Sequence, residues 1–132
     1  MESPQKLGRL IMTKEQTSRF KKAIENHRRE LAKEIHSQTR QIVIQESEHD
    51  PIDQVQSMNL REESATHLGR RSRVLAQIDR SLQAISDGSY GICVDCEEEI
   101  SLKRLETLPW TPRCVRCQEG LERREAEERR AA

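Results

Sequence analysis

The sequence predicts a mainly α-helical protein: a long antiparallel coiled-coil hairpin followed by a small four-cysteine module with a C-terminal helix. The composition is 35% charged, 33% hydrophobic and only 2% aromatic, which is typical of long exposed helices rather than a thick globular core. Two stretches of about thirty residues carry apolar side chains at alternating steps of three and four. Four cysteines follow as two pairs, each with two residues between its members.

Charge and hydropathy exclude several classes of protein. The chain has 23 basic and 23 acidic residues and no formal net charge, whereas proteins that live on nucleic acid usually carry a basic excess. No apolar run approaches the roughly 18 residues that a membrane span requires. Residues 1–11 also lack the apolar stretch of a signal peptide. We therefore expect a cytoplasmic protein whose cysteines bind metal rather than form disulfides, with residues 1–12 as a flexible leader.

Residues 13–86 are predicted to form the coiled-coil arm. Thr13 and Gln16 match a capping box, in which each side chain satisfies a backbone N–H of the first helical turn. Two series of residues then follow the a/d seam of a coiled coil, with a few polar exceptions. The first is Phe20, Ile24, His27, Leu31, Ile35, Gln38 and Ile42, and the second is Leu60, Ser64, Leu68, Arg71, Leu75, Ile78, Leu82 and Ile85.

The two series are expected to pair within one chain. Pairing Ile35 with Arg71, and extending that register in both directions, places the midpoint at residue 53. A slip of one heptad moves this midpoint by about 3.5 residues, so the pattern alone does not fix the register. The estimated midpoint nevertheless falls within residues 49–55, where the tip of the arm is expected.

The tip sequence combines a helix start with two carboxylates. Pro51 cannot continue a helix but is favoured at its first position. Asp50 then becomes the N-cap, and Asp53 faces the positive end of the helix dipole. Capping accounts well for Asp50. For Asp53 the N3 position is useful but replaceable, so capping explains this residue less completely.

Residues 87–132 are predicted to form a zinc finger with a C-terminal helix. The turn sequence Asp87–Gly91 ends the second long helix. Two cysteine pairs with this spacing favour one tetrahedral Zn²⁺ over two disulfides or free thiols. Four thiolates leave no coordination position for water, so the ion is expected to be structural. The four predicted ligands are Cys93, Cys96, Cys114 and Cys117.

Two motifs together resemble the DksA/TraR family of bacterial transcription regulators. The stretch from Tyr90 to Cys117 is similar to the family's finger, including Ile100, Arg104 and Pro109 at matching positions. Asp50-x2-Asp53 resembles the family's tip motif, Asp-x-x-Asp-x-Ala. The resemblance covers roughly residues 13–130.

This resemblance implies a non-enzymatic protein that binds bacterial RNA polymerase and not specific DNA sequences, and the predicted intramolecular hairpin favours a monomer. The arm would enter the secondary channel, where Asp50, Asp53 and Val55 face the catalytic centre and change transcription initiation. The finger would dock on the channel rim, with Arg70, Arg73 and Arg104 as candidate contacts. A solvated helix face is the alternative for Arg70 and Arg73, and a structural position is the alternative for Arg104.

The chain departs from the family pattern at several positions. Val55 replaces the alanine of the tip motif, and Glu97 stands where many relatives carry glycine, which strains the knuckle if a positive φ is needed there. Members that respond to the stringent-response alarmone ppGpp use basic residues, of which Arg73 is kept. The other matching positions hold uncharged residues, which argues against ppGpp binding because charge-assisted contacts to phosphate are lost. These are Gln77, Leu108 and Gln118.

Three other functions remain open at this point. A Gre-like factor would use Asp50 and Asp53 to hold a metal and stimulate transcript cleavage. A DNA-binding zinc finger is disfavoured by the zero net charge. A scaffold whose arm dimerises with another chain is disfavoured by the turn at the midpoint of the arm.

Overall fold

The computed structural model describes residues 12–47 and 54–131, and the side chains of 12–44 and 62–131. The described residues contain four helices in chain order: α1 (Lys14–Ser47), α2 (Gln54–Asp87), α3 (Leu102–Thr107) and α4 (Val115–Ala131). Within the described ranges the only β pairing is a single antiparallel bridge between Ile92 and Glu99. No helix among these residues combines the length and apolarity of a membrane span. The predicted mainly α-helical fold is confirmed.

Helix α1 begins at the predicted capping box. The backbone N–H of Thr13 donates to Gln16 Oε1 at 3.0 Å, and the N–H of Gln16 donates to Thr13 Oγ1 at 3.1 Å. These reciprocal bonds satisfy two backbone donors that the first helical turn leaves without partners.

Helix α2 ends at the predicted turn. Asp87 is its last residue, and Gly88 follows with φ 83°, a left-handed conformation that glycine adopts without steric cost. The N–H of Ser89 donates to the carbonyl of Ala84 at 2.9 Å, the six-to-one bond of a Schellman cap. The chain leaves α2 in a fixed direction towards the first cysteine pair.

The described part of the chain forms two compact units. The hairpin unit comprises Asn26–Ala76, and the finger unit combines the chain up to Glu25 with the chain from Gln77 onward. Helices α1 and α2 each contribute to both units.

In the hairpin unit, α1 and α2 pack antiparallel along the predicted seam. Gln38 Nε2 donates to the carbonyl of Ser64 at 3.0 Å, and Arg71 forms an ion pair with Glu34 at 3.4 Å. Glu34 and Gln38 flank Ile35, so these contacts agree with the register that pairs Ile35 with Arg71. The seam residues Leu31, Ile35, Gln38, Ile42, Ser64, Leu68, Arg71 and Leu75 are half-buried.

His27 differs from the sequence prediction. It occupies an a/d position, yet its side chain is exposed. An imidazole is large and strongly hydrated, so its burial is unfavourable. Ile24 and Leu31 on either side can maintain the seam while His27 stays exposed.

The finger unit has a small apolar core. Ile24, Ile78 and Leu105 are at most 1% exposed, and Tyr90 and Ile100 join them below 10%. The Tyr90 ring lies 5.9 Å from the Phe20 ring between centroids, and its hydroxyl donates to the Pro109 carbonyl at 2.7 Å. Burial raises the pKa of the Tyr90 phenol, so this hydroxyl remains a donor. The scarcity of buried side chains agrees with the thin core that the composition predicts.

Candidate functional site

The first cysteine pair lies in a tight knuckle. The N–H of Glu97 donates to the Cys93 carbonyl at 3.0 Å, and the N–H of Cys93 donates to the Glu98 carbonyl at 2.8 Å. A further bond of 2.8 Å, from the Ile100 N–H to the Gly91 carbonyl, holds the two ends of the knuckle together. The chain therefore reverses within a few residues and directs Cys93 and Cys96 towards one point.

Glu97 has φ 61° and is the only described non-glycine residue with a positive φ. This left-handed conformation brings Cβ close to the following carbonyl and costs a non-glycine residue about 1–2 kcal/mol. The sequence-based expectation of strain at this position is met by the backbone geometry. The knuckle persists because its hydrogen bonds and the metal site fix the chain on both sides of Glu97.

The second cysteine pair opens helix α4. The N–H of Cys117 points to Cys114 Sγ at 3.5 Å, and the N–H of Gln118 donates to the Cys114 carbonyl at 2.9 Å. Cys114 therefore stands at the N-cap of α4, and its sulfur takes the position that a serine or aspartate oxygen usually occupies. The Val94 N–H donates to the Pro112 carbonyl at 3.0 Å, which joins the two knuckles.

Arg104 organises the loop before Cys114. Its Nε donates to the Arg113 carbonyl at 3.0 Å, and one terminal nitrogen donates to Thr111 Oγ1 at 3.3 Å. Thr111 is 8% exposed and its hydroxyl also donates to the Arg113 carbonyl, at 3.1 Å. This favours the structural interpretation of Arg104.

All four cysteine sulfurs lie within 4.8 Å of one another. Cys96 Sγ and Cys114 Sγ are 3.8 Å apart, far beyond the roughly 2.05 Å of a disulfide. Tetrahedral zinc with Zn–S bonds of about 2.3 Å requires sulfurs about 3.8 Å apart. The cluster is a site for one structural Zn²⁺, and four thiolates would complete its coordination.

The thiols of this cluster differ in acidity. Burial raises the pKa of Cys93, but the backbone N–H groups of Cys96, Cys114 and Asp95 outweigh it and lower the pKa to about 6. The adjacent Cys114 side chain is the main reason that the pKa of Cys117 rises to about 12. Without a cation, one thiolate suppresses ionisation of its neighbours. A divalent ion removes this conflict and displaces the remaining protons.

The structure does not describe the side chains of the predicted tip residues. Asp50 and Asp53 lie outside the described residues. Val55 belongs to α2, but its side chain lies outside the described part as well. Their assignment to the tip stays a prediction.

The predicted docking residues differ in their surroundings. Arg70 and Arg73 are exposed on α2, while Arg104 is half-buried in the finger. Sequence reasoning missed the ion pair between Arg113 and Asp95, whose Nε and Oδ2 atoms are 2.7 Å apart. No local signal could have found it, because the partners are separated by 18 positions.

Fold and site together define a coiled-coil protein with a structural four-cysteine zinc finger. The prokaryotic dksA/traR C4-type zinc finger matches residues 88–123. The RNA polymerase-binding transcription factor DksA of Salmonella typhimurium is 29% identical over 125 residues, covering 92% of this chain and 81% of the relative. The factor of the same name from Caulobacter vibrioides is 43% identical over 56 residues, which cover 42% of this chain and 39% of that protein.

The solved structure of transcription factor DksA2 from Pseudomonas aeruginosa has a similar fold. It superposes with a TM-score of 0.77 at 26% identity, covering 94% of this chain and 99% of that chain. The finger of this chain is therefore similar to the dksA/traR C4-type zinc finger, and the chain resembles DksA proteins along most of its length.

Proposed function

We propose that this protein binds bacterial RNA polymerase and regulates transcription initiation without catalysing a reaction. The observation that carries the proposal is the joint presence of two α-helices of 34 residues each and a closed four-cysteine site. Relatives that align over 125 residues of this chain are named RNA polymerase-binding transcription factors. We expect the protein to act in the cytoplasm, where RNA polymerase works.

The coiled-coil arm, residues 13–86, is the part that would enter the secondary channel. At 1.5 Å per residue, a helix of 34 residues is about 50 Å long. A pair of helices packed along a seam can carry Asp50, Asp53 and Val55 deep into a partner. The two carboxylates would act there electrostatically, by altering the surroundings of the catalytic centre.

The finger, residues 87–132, would remain at the channel entrance. A structural zinc ion with four thiolate ligands has no coordination position for a substrate, which supports a non-enzymatic function. Arg70 and Arg73 are exposed and available for contacts with the channel rim. Monomeric action is proposed, since the seam of each long helix is used within the chain.

Regulation by ppGpp is not part of the proposal. Of the four family positions, only Arg73 is a cation, and Leu108 and Gln118 cannot pair with phosphate charge. We expect similar transcription output in the presence and absence of ppGpp.

The direct test is competition for RNA polymerase with a known occupant of the secondary channel. Displacement by the wild-type protein supports the proposal, and absence of binding refutes it. Asp53→Ala should retain zinc, helicity and polymerase binding while losing the effect on transcription. Parallel loss of folding and activity would make Asp53 a cap only.

The same preparation separates the Gre-like alternative. A stalled transcription complex is incubated with the protein and RNA cleavage is measured. If the protein stimulates cleavage and Asp53→Asn abolishes the stimulation, the Gre-like function is favoured over regulation of initiation.

A further inference from the structure

The face of α1 that points away from the seam carries a row of basic side chains. In the hairpin unit, the half-buried residues Leu31, Ile35 and Gln38 mark the seam side of α1. At 100° per residue, the opposite side falls on positions separated by steps of four, three and four. These positions hold Arg29, Lys33, His36 and Arg40, all of them exposed.

The acidic residues of α1 neutralise this row only in part. Between Asn26 and Ile44, no acidic residue of α1 lies on this outward face; Glu30 and Glu34 project from one flank. Glu34 is also engaged, because its carboxylate pairs with Arg71 across the seam at 3.4 Å. The row therefore presents about 17 Å of predominantly basic surface, bordered by Glu25 and Glu30 near Arg29 and Lys33, on a chain whose formal net charge is zero.

Two exposed apolar side chains follow the row towards the end of α1. Val43 is 61% exposed and Ile44 is 50% exposed; Ile44 lies on the outward face, four positions after Arg40, and Val43 lies on a flank of that face. A protein interface combines apolar contacts with a polar rim, and these two side chains could supply apolar contacts beside the basic row.

We propose that this basic row, Arg29 to Arg40, docks on an acidic protein surface. The inference rests on the proposed function and deepens it, since it assigns the outward face of α1 to an acidic wall of the polymerase channel. Complementary charge would guide the arm during entry and set its orientation about its long axis.

Two other anionic partners fit the row less well. Single-stranded nucleic acid is usually bound by cations together with aromatic side chains on which bases stack, and the chain has no Phe, Tyr or Trp between Phe20 and Tyr90. A membrane surface requires an available apolar face beside the cations. The apolar stripe of α1 is engaged with α2 in the seam, and the exposed apolar surface beside the row consists of Val43 and Ile44 alone among the described side chains of α1.

The test reverses the charge at two positions of the row in the full-length protein loaded with zinc. Lys33→Glu combined with Arg40→Glu is compared with Arg124→Glu combined with Arg130→Glu, which makes the same charge change at exposed positions of α4. Circular dichroism and zinc content establish that both variants fold. Affinity for RNA polymerase is then measured over a range of salt concentrations.

The α1 variant is expected to bind about ten-fold or more weakly at low salt and to lose most of the salt dependence, while the α4 variant binds like the wild type. Equal affinity of all three proteins overturns the docking inference but leaves the proposed function intact. Absence of binding by the wild type overturns both. An equal loss in both variants also overturns the inference, because it reports net charge rather than a surface.

Binding to a uridine 20-mer RNA and to vesicles containing phosphatidylserine is measured in parallel. The inference requires that neither probe competes with polymerase for the wild-type protein. If the α1 variant loses affinity for RNA or vesicles while keeping its affinity for polymerase, the row belongs to that other partner and the inference is wrong.

Discussion

The Arg71 guanidinium donates a hydrogen bond to the side-chain oxygen of Gln38, 33 positions earlier, and so joins the two long helices through polar atoms. Gln38 extends the network to the Ser64 carbonyl, and Arg71 extends it to Glu34. Polar groups in a coiled-coil seam commonly specify one register at some cost in stability. In this chain the apolar pattern alone permits a slip of one heptad, so the network is a candidate for removing that ambiguity.

Replacing both Gln38 and Arg71 by leucine should therefore stabilise the hairpin and loosen its register. The expected gain is about 1 kcal/mol in the free energy of unfolding, at the low end for polar-to-apolar core replacements, because the Arg71 side chain is 39% exposed. Thermal melting followed by circular dichroism measures the gain.

Contacts between methyl groups, measured by NMR, report the register of that double variant. The wild type should show Leu31 close to Leu75, as the predicted pairing requires. The variant should add contacts from Leu31 to Leu68 or Leu82, one heptad away. A variant that melts lower and keeps a single set of contacts would show that the network does not select the register.

The strained backbone at Glu97 yields a second prediction. Glu97→Gly should stabilise the finger by about 1 kcal/mol, because glycine adopts a positive φ without steric cost. Competition with a zinc chelator should show correspondingly tighter metal binding. Glu98→Gly is the matched control, since its ion pair with Arg116 is largely exposed and contributes little; there glycine should weaken the knuckle. Weaker zinc binding by Glu97→Gly would contradict the assignment of strain.

Two glycines should respond oppositely to alanine. Gly91 has φ 87°, and a Cβ there would lie 3.2 Å from Met12 Cε and 3.7 Å from Leu105 Cδ1, so Gly91→Ala should destabilise the finger. Gly120 lies inside α4, and a methyl group added there would meet nothing within 4 Å. Gly120→Ala should stabilise the protein by about 0.5–1 kcal/mol. Urea denaturation measures both changes, and changes of the same sign would contradict the explanation.

Features encoded by local chemistry could be predicted from the sequence. The capping box needs only Thr13 and Gln16, and the turn after α2 needs only its glycine. The cysteine spacing likewise predicts the zinc site, because each pair forms its own knuckle.

Features that depend on contacts distant in sequence could not be predicted. Arg104 organises the loop before Cys114 through hydrogen bonds to residues seven and nine positions away, and its sequence context also suited a surface contact. His27 occupies a heptad position but is not buried. Periodicity predicts the side of the helix on which a residue lies, but not how deeply a large polar ring is buried there. Short-range sequence patterns predict the helices and turns, while tertiary packing determines which of their side chains are buried or hydrogen-bonded.

Cys114 provides the last prediction, because it has two separable tasks. Its sulfur is a predicted zinc ligand, and the same atom faces the Cys117 N–H at the start of α4. Serine is a good N-cap but a poor zinc ligand, so Cys114→Ser should keep the helix start and remove the metal. We expect loss of zinc, loss of the near-ultraviolet signals of Trp110 and Tyr90, and retention of most far-ultraviolet helicity.

Two controls test whether metal binding and capping by Cys114 are separable: chelation of the wild-type protein and a substitution at the neighbouring residue. Chelation of the wild type should reproduce the spectrum of Cys114→Ser, because metal binding and folding of a small finger are coupled. Val115→Ser, at a residue that is 47% exposed beside the ligand, should keep one zinc ion and the wild-type spectrum. If Cys114→Ser retains both the metal and the wild-type melting profile, the finger is held by its hydrogen bonds and small core. If helicity collapses with the finger, the seam between α1 and α2 depends on the zinc module for its stability.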